Sequence, residues 1–341
     1  MELQLKQIKS IIDEARKVVI IQAENPDADS LASSLGLEEI LGDLGKQVVL
    51  YCPVKIPRYL GYAKGWDRVV DEFPTDFDTS IIVDTASATL MQRAIVPENV
   101  AQITKHPCIV LDHHITEGTL PFETLTVSDP KSVATGELVY KLAKANNWPL
   151  NPQACEQLAI AILADSLGLV TENTSAASIR TVADLVDGGA SLTAIDNRRR
   201  DFMKKPAEIL TYKGQLLQRI EYFLDGALAL IHIPWDEIAK YSEQYNPSML
   251  ALDEMRLVTG VRVAIATKTY PDGKITGKIR CNPDAKVAET IAAHFGGGGH
   301  PYVAGFRTYS DNYEQIKTEL IGAVDKILED YDKNLTATEP C

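Results

Sequence analysis

A chain of 341 residues is long enough for two domains, and its 45% hydrophobic and 24% charged residues are typical of a globular protein. The formal net charge of −13 opposes the cationic neutralisation on which binding of long nucleic acid depends, so we expect a short nucleotide substrate and no long duplex. No apolar run reaches the roughly 18 to 20 residues of a membrane span, and the N-terminal segment lacks the apolar core of a signal peptide, which predicts a cytoplasmic location without membrane contact.

The first half of the chain alternates short apolar runs with helical stretches. The apolar runs are VVII from Val18, VVLY from Val48, SIIVD from Ser80 and CIVLD from Cys108. This alternation predicts an α/β fold with a mostly parallel, doubly wound sheet and helices on both faces. We place this first domain at residues 1–185.

A smaller α+β domain is predicted for residues 223–333, after a helical linker at residues 186–222. Its predicted elements are strands at 227–233, 261–270 and 275–281, a helix at 287–295, a glycine run, a strand at 302–308 and a last helix to about residue 331. Residues 334–341 have the composition of a disordered tail.

Four polar clusters follow apolar segments of the first domain, three of them at the ends of predicted strands. They are the pair Asp27 and Asp29, then Asp84, then the run Asp112, His113 and His114, and finally Asp165 near the end of an apolar helix. Taken singly, each has an ordinary explanation, because an aspartate after a strand often caps a helix. Together they indicate a site, since strand ends at one edge of a parallel sheet converge and clustered carboxylates repel one another without a cation. Carboxylates with imidazoles favour Mn²⁺ or Mg²⁺ over a thiolate-bound zinc.

The segments ENPDADSLASS, IIVDTAS, LDHH and ILADS, followed by FGGGGHPYVAGF, resemble in order the motifs of the DHH phosphoesterase superfamily. The glycine-histidine run is similar to the DHH-associated C-terminal domain of the first subtype. Length and domain content most resemble the branch of nanoRNases and pAp phosphatases. The resemblance implies a hydrolase, a metal-dependent phosphoesterase that acts on short oligoribonucleotides, on 3′,5′-bisphosphonucleosides such as pAp, or on both.

The same resemblance implies two Mn²⁺ ions, with Mg²⁺ as the alternative, and a catalytic role for Asp84 as their bridging ligand. One ion would be held by Asp29, Asp84, His113 and Asp165, and the other by Asp27 and Asp84. Members of the superfamily commonly carry a histidine four residues before the first motif aspartate, where this chain has Ala23. We therefore expect a weakened metal site at Asp27, for which Gln22 and Glu24 are the neighbouring substitutes.

A metal pair of this kind activates a water for in-line attack on phosphorus. His114 is our candidate for the residue that contacts the phosphoryl oxygens or assists the leaving group. The alternative is that His114 only orients Asp112 or a metal ligand. Asp112 itself is expected to orient a neighbouring side chain rather than to bind metal.

The glycine run before His300 can present backbone N–H groups to an anion. Together with Arg280 at a strand end, the residues predicted to bind a second phosphate or the nucleotide body are Gly297, Gly298, Gly299 and His300. The expected active site is the cleft between the two domains.

Two alternatives to this function stay open. One is a cyclic- or linear-dinucleotide phosphodiesterase, and the other is a nucleotide-binding regulator whose catalysis is weakened by Ala23. The oligomeric state is also open, with a homodimer among the expectations.

Overall fold

The computed structural model of this chain describes residues 2–114, 118–242 and 245–338. The chain divides into two compact units, Met1–Lys204 and Lys205–Cys341. The predicted catalytic domain and the first part of the predicted linker belong to the first unit, and the remainder belongs to the second. Within the described ranges, no helix combines the length and the apolar character that crossing a bilayer requires.

The first unit is a parallel sheet with its connecting helices. Its strands are β1 (Lys17–Ile21), β2 (Gln47–Tyr51), β3 (Thr79–Val83), β4 (Cys108–Asp112) and β5 (Leu125–Ser128). Its helices are α1 (Glu2–Glu14), α2 (Ala28–Asp43), α3 (Pro97–Ile103), α4 (Thr135–Ala145), α5 (Pro152–Asp165), α6 (Ala176–Asp187) and α7 (Leu192–Phe202). The strands pair in parallel in the order β2-β1-β3-β4-β5. The predicted parallel α/β fold is confirmed, although β5 was not among the predicted strands.

Burial on both faces explains why the strands are continuous apolar runs. Every residue of β3 and of β4 is buried. On β1, Val18 and Ile20 pack into the core that contains α2, α4 and α5, whereas Val19 and Ile21 pack into a second core with Ile103 of α3. Helices therefore cover both sides of the sheet, as expected of parallel strands.

The strand order places a switch point between β1 and β3. From β1 the chain moves outward to β2 on one side, and from β3 it moves through β4 to β5 on the other. In open α/β sheets, ligands bind beyond the carboxyl ends of the strands that flank this point. The segments after β1, β3 and β4 carry the predicted site residues and lie at this edge.

The second unit is a mixed sheet covered by helices. Its strands are β6 (Glu221–Phe223), β7 (Leu228–Ile233), β8 (Val263–Thr269), β9 (Lys274–Cys281), β10 (Gly298–His300) and β11 (Val303–Tyr309). Its helices are α8 (Ala207–Gln218), α9 (Trp235–Tyr241), α10 (Pro247–Arg256), α11 (Ala288–His294) and α12 (Tyr313–Thr338). The order is β10-β11-β9-β8-β7-β6, and each pair is antiparallel except β7 with β8. Helix α12 continues to Thr338, into the segment 334–341 for which the sequence predicted a disordered tail; residues 339–341 lie outside the described residues.

Candidate metal centre

Asp84 follows β3 in a left-handed backbone conformation, with a φ of 64°. Its N–H donates to the Leu111 carbonyl at 2.8 Å, which extends the pairing of β3 with β4. The Thr135 hydroxyl donates to Asp84 Oδ1 at 2.9 Å and holds the carboxylate in place. Left-handed backbone is uncommon outside glycine, and strain of this kind is concentrated at functional sites.

Asp29 lies in the first turn of α2 and is only 1% exposed. Its Oδ2 accepts from the Thr135 N–H at 2.7 Å, and its Oδ1 accepts from the Gly136 N–H at 3.1 Å and from the Ser33 hydroxyl at 2.9 Å. Thr135 and Gly136 begin α4, and the unpaired N–H groups of a helix start stabilise an anion. The start of α4 therefore holds this buried carboxylate in one orientation.

His113 is held by one ring nitrogen and faces the carboxylates with the other. Nδ1 lies 3.3 Å from the Ser132 carbonyl oxygen, which can only accept, so this contact assigns the proton to Nδ1. Nε2 lies 3.7 Å from Asp29 Oδ2, 3.6 Å from Asp84 Oδ1 and 3.4 Å from Asp165 Oδ2. Nε2 is therefore the ring atom that faces three carboxylate oxygens.

Mutual repulsion and burial disfavour the ionised form of these acids. Burial raises the pKa of Asp29, an effect that His113 partly offsets and the charge of Asp27 increases. Burial, followed by the charges of Asp29 and Asp27, raises the pKa of Asp84 well above its ordinary value. Burial and the charge of Asp29 raise the pKa of Asp165 to about 6. The cluster thus carries more negative charge than its surroundings neutralise.

The donor set fits a divalent cation. The ligand atoms of Asp29, His113 and Asp165 lie within 4.8 Å of one another, as do those of Asp84, His113 and His114. Carboxylate oxygens with one or two imidazole nitrogens suit Mn²⁺ or Mg²⁺. A cation here would also offset the burial and, after it, the repulsion that raise the three pKa values. His114, expected at the substrate, therefore also lies within reach of a metal.

Asp27 caps a helix. Its Oδ1 accepts from the Ser30 N–H at 2.9 Å, and the Ser30 hydroxyl accepts from the Asp27 N–H at 3.0 Å, which makes a capping box at the start of α2. Among the residues that the structure describes, Asp27 is in neither of the two groups of converging ligand atoms. Its charge nevertheless acts on Asp29, Asp84 and Asp165, so Asp27 lies close to the cluster.

Ala23 occupies the position at which members of the DHH superfamily commonly carry a histidine, and its neighbours Gln22 and Glu24 were the expected substitutes. Glu24 is engaged elsewhere, because its Oε2 accepts from the Arg93 N–H at 3.3 Å and lies 3.6 Å from Arg93 Nε. Gln22 is fully buried, and neither its Nε2 nor its Oε1 has a hydrogen-bond partner among the described residues. Ala23 packs in the core with Val19. Of the two neighbouring substitutes, Gln22 alone keeps free donor and acceptor atoms.

His114 and Asp112 form a hydrogen-bonded pair. His114 Nδ1 lies 2.7 Å from Asp112 Oδ1, and the His114 N–H donates to the same oxygen at 3.1 Å. This hydrogen bond is the largest cause that raises the pKa of His114. Burial alone would raise the pKa of Asp112, but the hydrogen bonds from His114 outweigh it and the pKa is lowered. Asp112 thus orients His114 and favours its protonated form, and the imidazole is half-exposed.

In the second unit, three cations share one face of the sheet. Arg280 and Lys278 alternate along β9, and Lys268 lies on β8 opposite Thr276. Burial lowers the pKa of Lys268 to about 8, and burial together with the neighbouring Arg280 lowers that of Lys278. Within the described ranges none of the three has a carboxylate within 4.0 Å; Arg280 donates to the Ile279 carbonyl at 3.0 Å, and Lys268 donates to Asn246 Oδ1 at 2.9 Å. This face can therefore bind an anion.

The predicted anion-binding glycine run is a short strand. Gly298–His300 forms β10, which pairs with β11 so that His300 lies opposite Val303. Glycine is needed because a side chain at Gly297 would approach the Gly305 carbonyl to 2.2 Å, and one at Gly299, where φ is 149°, would approach the Val303 carbonyl to 2.5 Å. Gly298 and His300 are exposed.

Several residues that support the site were not singled out in the sequence. Thr135 contacts both Asp29 and Asp84, and Ser132 orients His113. Neither residue type has a pattern of its own, since Ser and Thr are common in loops and at helix starts. The clue is their position, because SVATGE immediately precedes and begins α4, whose first N–H groups lie at the carboxylates.

The chain is similar to known proteins over most of its length. Residues 17–162 match the family model described as DHH family, N-terminal domain. The chain is 26% identical over 303 residues to the bifunctional oligoribonuclease and PAP phosphatase NrnA of Thermus thermophilus, covering 88% of this chain and 86% of that protein. The protein of the same name from Bacillus subtilis is 22% identical over 307 residues, covering 89% of this chain and 93% of that protein.

A solved structure shares the fold. The exopolyphosphatase-related protein from Bacteroides fragilis matches with a TM-score of 0.83 at 20% identity, over 98% of each chain. This likeness extends over both units, whereas the family model covers the part of the chain that contains most of the acidic cluster. The match over residues 17–162 therefore shows that this chain contains the N-terminal domain of the DHH family.

Proposed function

We propose that this chain hydrolyses short oligoribonucleotides and 3′,5′-bisphosphonucleosides as a metal-dependent phosphoesterase. The observation that carries the proposal is the convergence of Asp29, Asp84 and Asp165 on His113 Nε2, at 3.4 to 3.7 Å. Phosphoester hydrolysis needs concentrated positive charge at the phosphate, and such a cluster can provide it only by binding cations. The names of the Thermus and Bacillus relatives, bifunctional oligoribonuclease and PAP phosphatase, support the substrate class.

The residues proposed to hold the metal follow from the donor set. Asp29, Asp84, His113 and Asp165 would bind one ion, since their ligand atoms converge on His113. The resemblance to the DHH superfamily assigns the second ion to Asp27 with Asp84, although Asp27 is outside both groups of converging ligand atoms among the described residues. Mn²⁺ is the proposed ion. When bound, such a pair stabilises charge on the phosphoryl oxygens and lowers the pKa of a water for in-line attack. The protein positions the donors through Thr135, Ser132 and the start of α4.

His114 is the proposed proton donor. Asp112 accepts from Nδ1, and this hydrogen bond raises the pKa of the imidazole, which favours its protonated form. Nε2 is then available to donate to a phosphoryl oxygen or to the leaving oxygen. This role joins the two alternatives for His114, because the contact with Asp112 is what prepares the ring for the substrate.

Arg280 and β10 are proposed to bind the rest of the substrate. A second phosphate would be held by the half-buried guanidinium of Arg280, with Lys278 beside it on the same face of β9. The exposed residues Gly298 and His300, with Gly297 and Gly299, would approach the nucleotide through their backbone. Lack of carboxylate partners for Arg280 and Lys278 among the described residues supports this assignment.

A substrate panel tests the proposed function. Purified protein with MnCl₂ is incubated with pAp, oligoribonucleotides of two to five and of twenty nucleotides, cyclic di-AMP and pyrophosphate, and product formation is followed by chromatography. We expect the highest kcat/KM on pAp and on the dinucleotide. A preference for cyclic di-AMP would support the alternative phosphodiesterase, and binding of nucleotides without turnover would support the regulator. Either result contradicts the proposal.

Replacing Arg280 with alanine tests the proposed division of roles between the units. Loss of one charge-assisted contact should reduce kcat/KM for pAp about ten- to a hundredfold. Hydrolysis of bis-p-nitrophenyl phosphate, which lacks a second phosphate, should change little, and Mn²⁺ affinity should not change. Lys274→Ala is the matched control, because Lys274 lies at the other end of the same strand on the same face. Equal losses on both substrates would assign Arg280 to the reacting phosphate or to the fold.

A further inference from the structure

A cavity of about 560 Å³ opens in the first unit beside the acidic cluster. Its walls include Ala28 at the start of α2 and Ala164 at the end of α5. Ala28 lies between Asp27 and Asp29, and Ala164 immediately precedes Asp165. The same two helix ends therefore carry the site carboxylates and line the cavity. Two lining residues of the cavity are thus direct chain neighbours of candidate metal ligands.

The cavity lining is apolar with aromatic edges. Tyr59 and Tyr62 line it together with Leu167, and Leu192 of α7 closes it from another side. Burial and, after it, the charge of Asp27 raise the pKa of Tyr59, so this phenol stays protonated and lies near the cluster. Pockets of this size and composition bind small organic groups through apolar contact and a few polar atoms.

The charges of the lining exclude a phosphate as the occupant. Arg199, the cation that lines the cavity, lies 3.0 Å from Asp196, which also lines it. Arg200 donates to the same carboxylate at 2.6 Å. The guanidinium charge is therefore compensated, and a phosphate would gain little from it. A flat, uncharged group with polar edges suits the tyrosines and the Arg199–Asp196 pair.

The turn after Asp165 keeps an apolar side chain at the cavity mouth. Leu167, Gly168 and Leu169 have φ values of 50°, 80° and 71°, a left-handed conformation that is costly for leucine. The turn is held by the Gly168 N–H, which donates to the Leu163 carbonyl at 2.8 Å, and by the Leu169 N–H, which donates to the Ser166 hydroxyl at 2.9 Å. Leu167 is 74% exposed although it lines the cavity. An exposed leucine in a strained turn beside a reactive centre is typical of a ligand contact.

From this lining and its position we infer that the cavity binds the nucleobase of the nucleotide whose phosphate is hydrolysed at the acidic cluster. The inference rests on the proposed function and adds to it the part of the substrate that the first unit recognises. Tyr59 makes a stacked or an edge-to-face contact with the base, and Leu167 and Leu192 contact its faces. The Arg199–Asp196 pair contacts the polar edge of the base. The cavity thereby makes the protein prefer nucleotides over pyrophosphate and other phosphates that have no base.

Paired substrates with and without a base test the inference. The Mn²⁺-loaded protein is assayed on pAp and on deoxyribose 3′,5′-bisphosphate, which keeps both phosphates but has no base. Base stacking of this kind gives about a ten- to hundredfold advantage in kcat/KM for pAp over the base-free analogue. Leu192→Trp fills the cavity and should reduce this ratio toward one. Tyr59→Ala should reduce it as well, whereas Tyr59→Phe should retain most of it.

Two controls separate the cavity from the fold and from catalysis. Leu210→Trp carries the same substitution at an exposed position of α8 and should keep the wild-type ratio. Direct binding is measured by titrating adenosine, which has no phosphate, into the Mn²⁺-loaded wild type and Leu192→Trp. We expect binding to the wild type and its loss in the variant, with Mn²⁺ affinity unchanged.

The assays distinguish failure of the cavity assignment from failure of the proposed phosphoesterase function. If the wild type hydrolyses pAp and the base-free analogue equally well, the cavity assignment is overturned and the phosphoesterase stands. If neither is hydrolysed but Leu192→Trp still abolishes adenosine binding, the cavity assignment stands and the proposed function falls. Adenosine binding that persists in both Leu192→Trp and Tyr59→Ala overturns the inference.

Discussion

Asp84 combines a strained backbone, a buried carboxylate and a central place in the acidic cluster. The strain and the hydrogen bond from Thr135 keep Oδ1 oriented toward His113 Nε2, 3.6 Å away. In the absence of a cation, burial and neighbouring acids raise its pKa, so its ionised form destabilises the folded state. The left-handed backbone and the burial of the carboxylate both cost free energy, so stability alone does not explain Asp84 at this position.

Replacing Asp84 with asparagine should separate function from folding. Asparagine tolerates the left-handed backbone and can still accept from Thr135, but it carries no charge. We expect at least a hundredfold loss of turnover and weaker Mn²⁺ binding, with a metal-free thermal midpoint at or above that of the wild type. Turnover, calorimetric Mn²⁺ titration and thermal unfolding measure the three effects. Asp225→Asn is the matched control, because exposed Asp225 also has a positive φ, 53°, but lies in the second unit.

Ala23 gives a second prediction at the residue scale. Placing a histidine there should tighten Mn²⁺ binding near Asp27, since imidazole is a good ligand and Glu24 is engaged by Arg93. Calorimetric titration of Ala23→His against wild type measures the change, and Ala94→His, in the same core, is the control for adding a buried ring. Unchanged affinity would mean that another residue already completes the site, such as Gln22, whose side chain has no hydrogen-bond partner in the described part of the chain.

At the scale of elements, α4 organises the site through both its start and its first turns. Its N-terminal N–H groups hold Asp29, and its buried Glu137 accepts from the Val133 N–H at 3.0 Å and from the Ser178 hydroxyl at 2.8 Å. Lys141, one turn later, lies 2.9 Å from Glu137 Oε1 and donates to Asp129 Oδ2 at 3.0 Å. This network fixes the loop whose Ser132 carbonyl orients His113.

Lys141→Met should therefore weaken both the loop and the metal site. It leaves Glu137 and Asp129 without their shared cation, which should destabilise the first unit by on the order of 2 kcal/mol. Mn²⁺ affinity should fall about ten- to a hundredfold, because residues that orient metal ligands have effects of this size. Lys144→Met, on the same helix and outside the network, is the control. Loss of stability with full Mn²⁺ affinity would show that the network does not position His113.

At the scale of the whole molecule, the acidic site links stability to metal and pH. The pKa of Asp165 is raised to about 6, and those of Asp29 and Asp84 are raised as well. An acid with a raised folded-state pKa loses stabilisation as pH rises from its unfolded value, near 4, through its folded value. The raised pKa of His114 acts in the same direction, because its protonated form is favoured by folding.

We therefore expect the metal-free first unit to unfold at a lower temperature at pH 7.5 than at pH 5.5. Mn²⁺ should reverse this trend, because it binds the deprotonated carboxylates and adds about 2.7 kcal/mol at a hundred times its Kd. Thermal unfolding at both pH values, with MnCl₂ or with EDTA, measures how much Mn²⁺ raises the unfolding temperature at each pH. If Mn²⁺ raises the unfolding temperature as much at pH 5.5 as at pH 7.5, that result would falsify this linkage.

The sequence alone determined the sheet and the residue types of the site. Apolar runs for strands buried on both faces are a local pattern, as are the acids that follow β1, β3 and β4. Because the carboxyl ends of parallel strands lie at one edge of the sheet, Asp29, Asp84 and His113 could be expected close together. The motifs also predicted the family. A cytoplasmic location and a homodimer stay predictions.

Only the tertiary structure decided which acids turn toward His113 and which cap a helix. The roles of Thr135, Ser132 and Glu137 depend on contacts between segments far apart in the chain, and serine, threonine and glutamate have no pattern that reveals them. The glycine run became β10 because Gly297 and Gly299 lie against the backbone of β11, a contact that exists only after the sheet forms. The cavity beside Ala164 arises likewise from packing between helices, which sequence periodicity does not encode.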